Sequence, residues 1–352
     1  MKLLALVPVA VVLGCGSAGR DHVARLDDHH TLSAAVTVGN LTVWPVRTDR
    51  PLDVGEFLTL DEALAKGVAE VREVGPVPFT SCLQEEGAQT LQVGPSGGSA
   101  VVNTLVIDNK SDLPILVCAG TVVKGGNQDR QIGQDFVIQA RTATSVDAFC
   151  VEQGRWQPER LGADTGGKFQ VLDGMATAKV RAKGQYEKDQ RGVWQEVASA
   201  QITMSEPVAS TSFAVAFDAN ATAAADDLKR CEEAVKSHFA KHGDAVGFAY
   251  AVNGKPVAVR AFAHPRLLRK HLDDFARGMA TEALLAKTPE AAPAATATDV
   301  VALVKRISAA EEKVHATGAL NRNGVRACEA GYNANCYLPG GDVAITRDWT
   351  AK

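Results

Sequence analysis

The rhythm of hydrophobic and polar positions changes once along the chain. From about residue 34 to residue 150 the apolar residues come in short runs, alternating or unbroken, with Gly, Asn, Asp and Pro between them. This pattern predicts strands at 36–38, 41–46, 69–74, 90–93, 101–107, 115–123, 134–138 and 144–150. Gly39-Asn40 and Asp108-Asn109-Lys110-Ser111-Asp112 supply turn chemistry between neighbouring runs. One short helix interrupts them: Thr59 is its N-cap, Glu62 follows three residues later, and Gly67 ends it.

After Asp164 the spacing lengthens to three and four. Helices are predicted at 169–183, with a break at Gly174, and at 192–204, 226–242, 265–285 and 299–314. The last carries an apolar stripe at Val300, Val304 and Ile307. Two strands, 245–252 and 256–262, flank Asn253-Gly254, the strongest hairpin signal in the chain. The fold class is α+β: an antiparallel β-rich N-terminal half, sheet or sandwich, packed with helices from the C-terminal half. An Ala/Pro-rich linker at 289–298 separates the domain of residues 34–288 from a small C-terminal appendage, a helix and turn-rich tail at 299–352.

A hydrophobic content of 46% excludes global disorder, and a net charge of -4 with dispersed Lys and Arg argues against nucleic acid as a partner. At the N-terminus, Lys2 precedes an apolar run from Leu3 to Leu13, shorter than the roughly 20 residues of a membrane helix. The run closes on Val12-Leu13-Gly14-Cys15, which resembles the bacterial lipoprotein box. On this reading residues 1–15 are a signal peptide with Cys15 as the lipidated mature terminus. The membrane is then a partner through the lipid anchor, and the protein belongs to the cell envelope, facing the periplasm or exterior. Residues 16–33 form a polar tether, and Asp27-Asp28-His29-His30 within it is taken as solvated linker and not as a metal site.

An exported chain meets an oxidising compartment. Cys328 and Cys336 flank a turn-rich segment and are expected to form a disulfide, while the pairing of Cys82, Cys118, Cys150 and Cys231 stays open. No cysteine spacing is that of a zinc site, and the sequence leaves any cofactor unknown.

The densest polar chemistry lies in two strings, Gly125-Gly126-Asn127-Gln128-Asp129-Arg130 and Cys150-Val151-Glu152-Gln153-Gly154-Arg155-Trp156. Arg130 and Arg155 offer planar forks for a carboxylate or phosphate. Gly125 and Gly126 can turn backbone N–H groups toward an anion. Gln128, Asp129 and Gln153 add polar contacts, Trp156 can stack on a ring, and Glu152 can act as acid or base. The same residues also suit a structural network in which Arg130 and Glu152 tie two strands together and Trp156 fills core. The expectation is mixed: Arg130 largely structural, Arg155, just after Gly154, freer to meet a ligand. Cys150, between Phe149 and Val151, is taken as a buried thiol.

These strings, with Leu58-Thr59-Leu60-Asp61-Glu62-Ala63-Leu64, Asn109-Lys110-Ser111-Asp112-Leu113-Pro114, Gly192-Val193-Trp194-Gln195-Glu196-Val197 and Val252-Asn253-Gly254-Lys255-Pro256-Val257, resemble the ARG and Rhodanese-Phosphatase-superfamily-associated protein domain, a bacterial family of largely unassigned function. The resemblance covers about residues 34–288, and Cys150 to Trp156 is its most specific part. Gene neighbourhoods shared with ADP-ribosylglycohydrolases give the family its name, so the resemblance implies a link to ADP-ribose or NAD metabolism.

The sequence thus points to a lipid-anchored protein that binds a small anionic, nucleotide- or ADP-ribose-derived ligand. The alternatives are an enzyme on such a ligand with Glu152 as acid or base, and a structural or interaction module without ligand. The anchor is directly testable: Cys15→Ser is expected to move the protein from the membrane to the soluble fraction, and a variant that still sediments with membranes contradicts it.

Overall fold

A computed structural model of the chain describes residues 24–74, 103–155, 157–160, 162–204, 213, 224–288, 293–317 and 321–352. The first elements are β1 (Ala24–Arg25), β2 (His30–Leu32), β3 (Val36–Val38), β4 (Leu41–Thr48), β5 (Leu58–Thr59), helix α1 (Leu60–Ala65) and β6 (Ala69–Glu73). Then come β7 (Thr104–Asn109), β8 (Ile115–Val117), β9 (Thr121–Gly125), β10 (Arg130–Ile132), β11 (Phe136–Ile138) and β12 (Thr142–Cys150). A small hairpin, β13 (Glu159–Arg160) and β14 (Ala163–Asp164), precedes β15 (Phe169–Met175). Helices α2 (Ala178–Gln185), α3 (Gln190–Met204) and α4 (Ala224–Phe239) lead to β16 (Gly247–Val252) and β17 (Lys255–Phe262). Helices α5 (Pro265–Leu285) and α6 (Ala297–Ser308) are followed by β18 (Lys313–Thr317), β19 (Asn321–Cys328), β20 (Gly331–Tyr337) and β21 (Ala344–Ala351).

The fold is α+β with two β units. The larger is an antiparallel sheet in the order β1-β2-β4-β16-β17-β21-β20-β19-β18, with β3 pairing β4. Alternation sends successive side chains to opposite faces. Phe248, Tyr250 and Val252 pack with α4 and α5, whereas Ala249 and Ala251 pack with α6, Trp44 and Trp349. The smaller unit is a six-stranded antiparallel sheet, β15-β9-β10-β12-β7-β6, beside a three-stranded sheet, β11-β8-β5, in which β5 and β8 are parallel. Leu116, Cys118 and Val137 of this unit join the α4–α5 side of the large sheet's core.

Local signals in the sequence place many elements correctly. Thr59 and Glu62 form the capping box of α1, and Gly67 follows its end with a positive φ. Asn253 and Gly254 both have positive φ, as a two-residue hairpin turn demands. Helix α5 occupies the predicted 265–285 span.

Elsewhere tertiary context prevails. The run at 115–123 is broken by a turn into β8 and β9, which belong to different sheets. Asp108 to Asp112 does not close a hairpin: β7 pairs β6 and β12, while β8 pairs β5 and β11. The Asn109 side chain fixes that crossing by donating to the carbonyls of Leu113 and Gln139. The predicted helix at 169–183 is a strand, β15, followed by α2, because residues 169–171 pair with β9. Helix α6 ends at Ser308, and Val314 lies on the edge strand β18. Residues 90–93 lie outside the described residues.

Two further expectations are corrected. The C-terminal tail is not an appendage, since β21 hydrogen-bonds to β17 in the middle of the large sheet. Cys328 and Cys336 do not form a disulfide: both are free thiols, Cys328 opposite Gly331 and Cys336 opposite Asn323. Asn323 and Cys328 are five positions apart on β19, about 17 Å at strand rise and beyond the roughly 7 Å that a bridge spans. The odd separation also puts the two thiols on opposite faces, Cys336 with the α5 side and Cys328 with the α6 side. At the other end, β1 and β2 bring part of the expected tether into the sheet, and His30 Nδ1 bonds to the Asp27 carboxylate at 2.9 Å.

Candidate functional site

The polar strings foreseen from the sequence do converge. Arg130 on β10 lies opposite Cys150 on β12, and the turn 126–129 sits beside the chain that leaves β12. Their side chains, however, face one another. Arg155 Nε donates to Glu152 Oε2 at 2.7 Å, and its Nη2 donates to Asp129 Oδ1 at 3.1 Å. Its remaining donors go to the carbonyls of Gly125, Gly126 and Gln157. Arg160 Nε also donates to Asp129, at 3.1 Å, and the Asp129 N–H donates to Glu152. Arg130 donates to Gln128 Oε1 and toward Cys150 Sγ, with Glu73 3.7 Å away.

Gly125 and Gly126 have a different task from the one expected. A Cβ on Gly125 would meet the Lys168 carbonyl at 2.1 Å, and one on Gly126 would meet the Phe169 ring at 2.2 Å. The glycines let β15 pack against the turn, and their N–H groups are taken by Asp129 and Lys168. Arg130, Arg155 and Arg160 are balanced by Glu73, Asp129 and Glu152, so no cationic excess is left for an anion. Arg155 is therefore not the freer residue, and Glu152, 3% exposed, is held as its partner. Gln153 is exposed on the loop, and Trp156 lies outside the described residues. Cys150 is a buried thiol, pushed up to about 11 by burial with Arg130 opposing.

An open site lies elsewhere. A cleft of about 400 Å³ is framed by the N-terminus of α2, one face of α3, the C-terminal end of α5, the β16–β17 turn and the end of β21. Leu285, Val252, Val257 and Ala200 give it apolar walls, and Lys179, Lys255 and Lys352 rim it. Lys179 and Lys255 have no hydrogen bond or ion pair among the described residues, while Lys352 Nζ lies 4.6 Å from the centre of the Tyr332 ring. Thr177, the N-cap of α2, is 5% exposed, yet its hydroxyl makes no capping bond.

Glu282 lies at the floor of this cleft, 7% exposed. Its Oε2 accepts from the Ala178 N–H at 3.0 Å and from the Tyr250 hydroxyl at 2.8 Å. Oε1 has no hydrogen-bond partner among the described residues. Burial raises the Glu282 carboxyl above the usual range, and the Ala178 N–H, the Tyr250 hydroxyl, Arg181 and Lys179 reverse this only in part. A further space of about 10 Å³ behind Thr177 and Ala178 reaches Tyr250 and Arg181, about the size of one water.

Sequence reasoning missed this cleft because its walls come from five separate elements. One signal was present: Phe275, Met279 and Glu282 recur at four and three residues, which places a carboxylate on the buried stripe of an amphipathic helix.

The chain belongs to the ARG and Rhodanese-Phosphatase-superfamily-associated protein domain family, whose match spans residues 29–343. That span includes β2 to β20 and all the helices described above, so it holds the buried knot and every wall of the cleft except the end of β21. No curated protein and no solved structure matches the chain.

The buried knot makes a direct prediction. Arg155→Ala leaves Asp129 and Glu152 with less compensation, and is expected to cost about 3–5 kcal/mol. Urea denaturation reads this, and an unchanged midpoint contradicts the structural role.

Proposed function

We propose that this domain binds a small organic anion, a phosphate-bearing one in particular, in the cleft at the N-terminus of α2. One observation carries the reading: an N-terminal helix turn whose cap hydroxyl makes no capping bond opens onto a 400 Å³ cleft beside Lys179 and Lys255, neither of which has a hydrogen bond or close ion pair among the described residues. Backbone N–H groups at a helix start and the helix dipole favour negative charge, and lysine is a common phosphate binder as a point charge. The volume lies in the range of small-molecule sites, and apolar walls above a few polar groups suit a ligand with a ring or chain beside its anion. A nucleotide- or ADP-ribose-derived molecule has this chemistry. With the lipoprotein-type segment at the N-terminus, the protein becomes a membrane-tethered binding protein in this reading.

Phenyl phosphate is a suitable probe. It is expected to raise the melting temperature of the wild-type chain, by RT ln(1 + [L]/Kd) in free-energy terms. Lys179→Ala combined with Lys255→Ala should abolish that shift while leaving the unliganded melt nearly unchanged, because both side chains are exposed. Arg155→Lys, by contrast, should lower the unliganded melt and keep a ligand shift. A shift that survives the double lysine variant and disappears with Arg155→Lys would move the site to the buried knot.

A further inference from the structure

We infer that Glu282 enters the complex as a carboxylic acid whose Oε1 donates its proton in a hydrogen bond to the bound anion, so that the cleft takes up one proton with its ligand and selects oxyanions that accept such a bond. The inference rests on the cleft being an anion site and adds the protonation state in which it works.

The geometry leaves Glu282 one free oxygen. Oε2 is occupied by two donors, Ala178 N–H at 3.0 Å and Tyr250 O–H at 2.8 Å. Tyr250 is held protonated, since burial and Glu282 push its hydroxyl well above the ordinary range. Glu282 lines the cleft, and the bonds to its carboxylate all go to Oε2, which leaves Oε1 without a partner among the described residues. Because Glu282 accepts the first N–H of α2, any anion bound at that helix start sits beside it. Two negative charges at one helix start repel, and the pair relieves this by holding one proton between them. The charged or titratable groups around Glu282 are Tyr250 from β16, Arg181 and Lys179 from α2, Glu196 from α3, Lys255 from β17 and Lys352 from the end of β21. Lys179, Lys255 and Lys352 rim the cleft as cations, whereas Arg181 lies behind it, paired with Asp348 at 3.3 Å.

The sign follows from linkage. The complex holds a proton that free Glu282 releases at higher pH, so affinity is full at low pH. It falls about tenfold per pH unit between the free-state and bound-state values of Glu282. Titration calorimetry of the full-length chain with phenyl sulfate, which stays ionised throughout, tests this at pH 5–8 in two buffers of different ionisation heat. Wild type is expected to take up close to one proton per ligand and to lose affinity as pH rises. Glu282→Gln keeps an acceptor for Ala178 and Tyr250 and offers a fixed N–H donor, so its binding should be independent of pH and free of proton uptake. Tyr250→Phe, which leaves Glu282 in place, should keep the proton uptake and guards against a folding defect in the glutamine variant. Binding that depends on Lys179 but shows no proton uptake, with Glu282→Gln identical to wild type, overturns this inference alone. The absence of any binding that depends on Lys179 and Lys255 overturns the anion site itself. Binding by Glu282→Gln but never by wild type shows that the ionised carboxylate is itself the helix cap, and overturns both.

Discussion

Arg260 is fully buried between the two β units, and the arrangement of the molecule depends on what that guanidinium requires. It extends from β17 and donates to both oxygens of Asp135, on the loop between β10 and β11. Burial alone would raise the Asp135 carboxyl, but Arg260, the Thr346 hydroxyl and the Ala119 N–H hold it below the usual range. Asp348 lies 3.7 Å from Arg260 Nη1, and the Phe275 ring covers the cation with its centre 5.0 Å away. An ion pair this deep gains little over well-packed apolar residues of the same volume, because both charges lose their water. Its contribution is directional: the smaller β unit docks on the large sheet in the one register that satisfies both charges.

The cleft inherits that register. Asp348 on β21 also pairs with Arg181 of α2 at 3.3 Å and accepts from the Tyr186 hydroxyl at 2.7 Å. These bonds anchor α2 across the sheet end and set Thr177 and Ala178 opposite Glu282 of α5. Asn40 and Asn253 fix the other wall by donating to the carbonyls of Ala283 and Ala286 at the end of α5. The knot of Arg155, Glu152 and Asp129 serves the smaller unit in a comparable way, closing the turn that β15 packs against.

What the sequence made legible follows the range of the interaction. The capping box of α1, the Asn253-Gly254 turn and the apolar stripe of α6 at Val300, Val304 and Ile307 are set by neighbours within a few residues, and they stand where they are expected. The stretch from Phe169 to Met175 is a strand because β9 supplies partners 44 to 54 residues away in sequence. Beyond α6 the tail reads as turns because it is rich in Asn and Gly, yet Asn323 and Asn333 are buried, with side chains bonded to the carbonyls of Asp135 and Asp348. The string from Cys150 to Trp156 drew attention correctly as a convergence of charge. Its composition is the same whether the charges face a ligand or each other, and only the burial of Asp129 and Glu152 separates the two. Glu282, Lys179 and Lys255 lie far apart in the chain and come to line one cleft only after α2 is docked.

The buried Arg260–Asp135 pair fixes how the two β units dock. A double-mutant cycle with Arg260→Met, Asp135→Asn and the combination, read by urea denaturation, tests it most directly. Arg260→Met alone is expected to cost about 3–5 kcal/mol, because Asp135 is left without its cation. The double variant is expected to be much less destabilised than the sum of the singles, a coupling at the upper end of the roughly 0.5–3 kcal/mol seen for contacting pairs. Single variants that stay near wild type and add without coupling would contradict it.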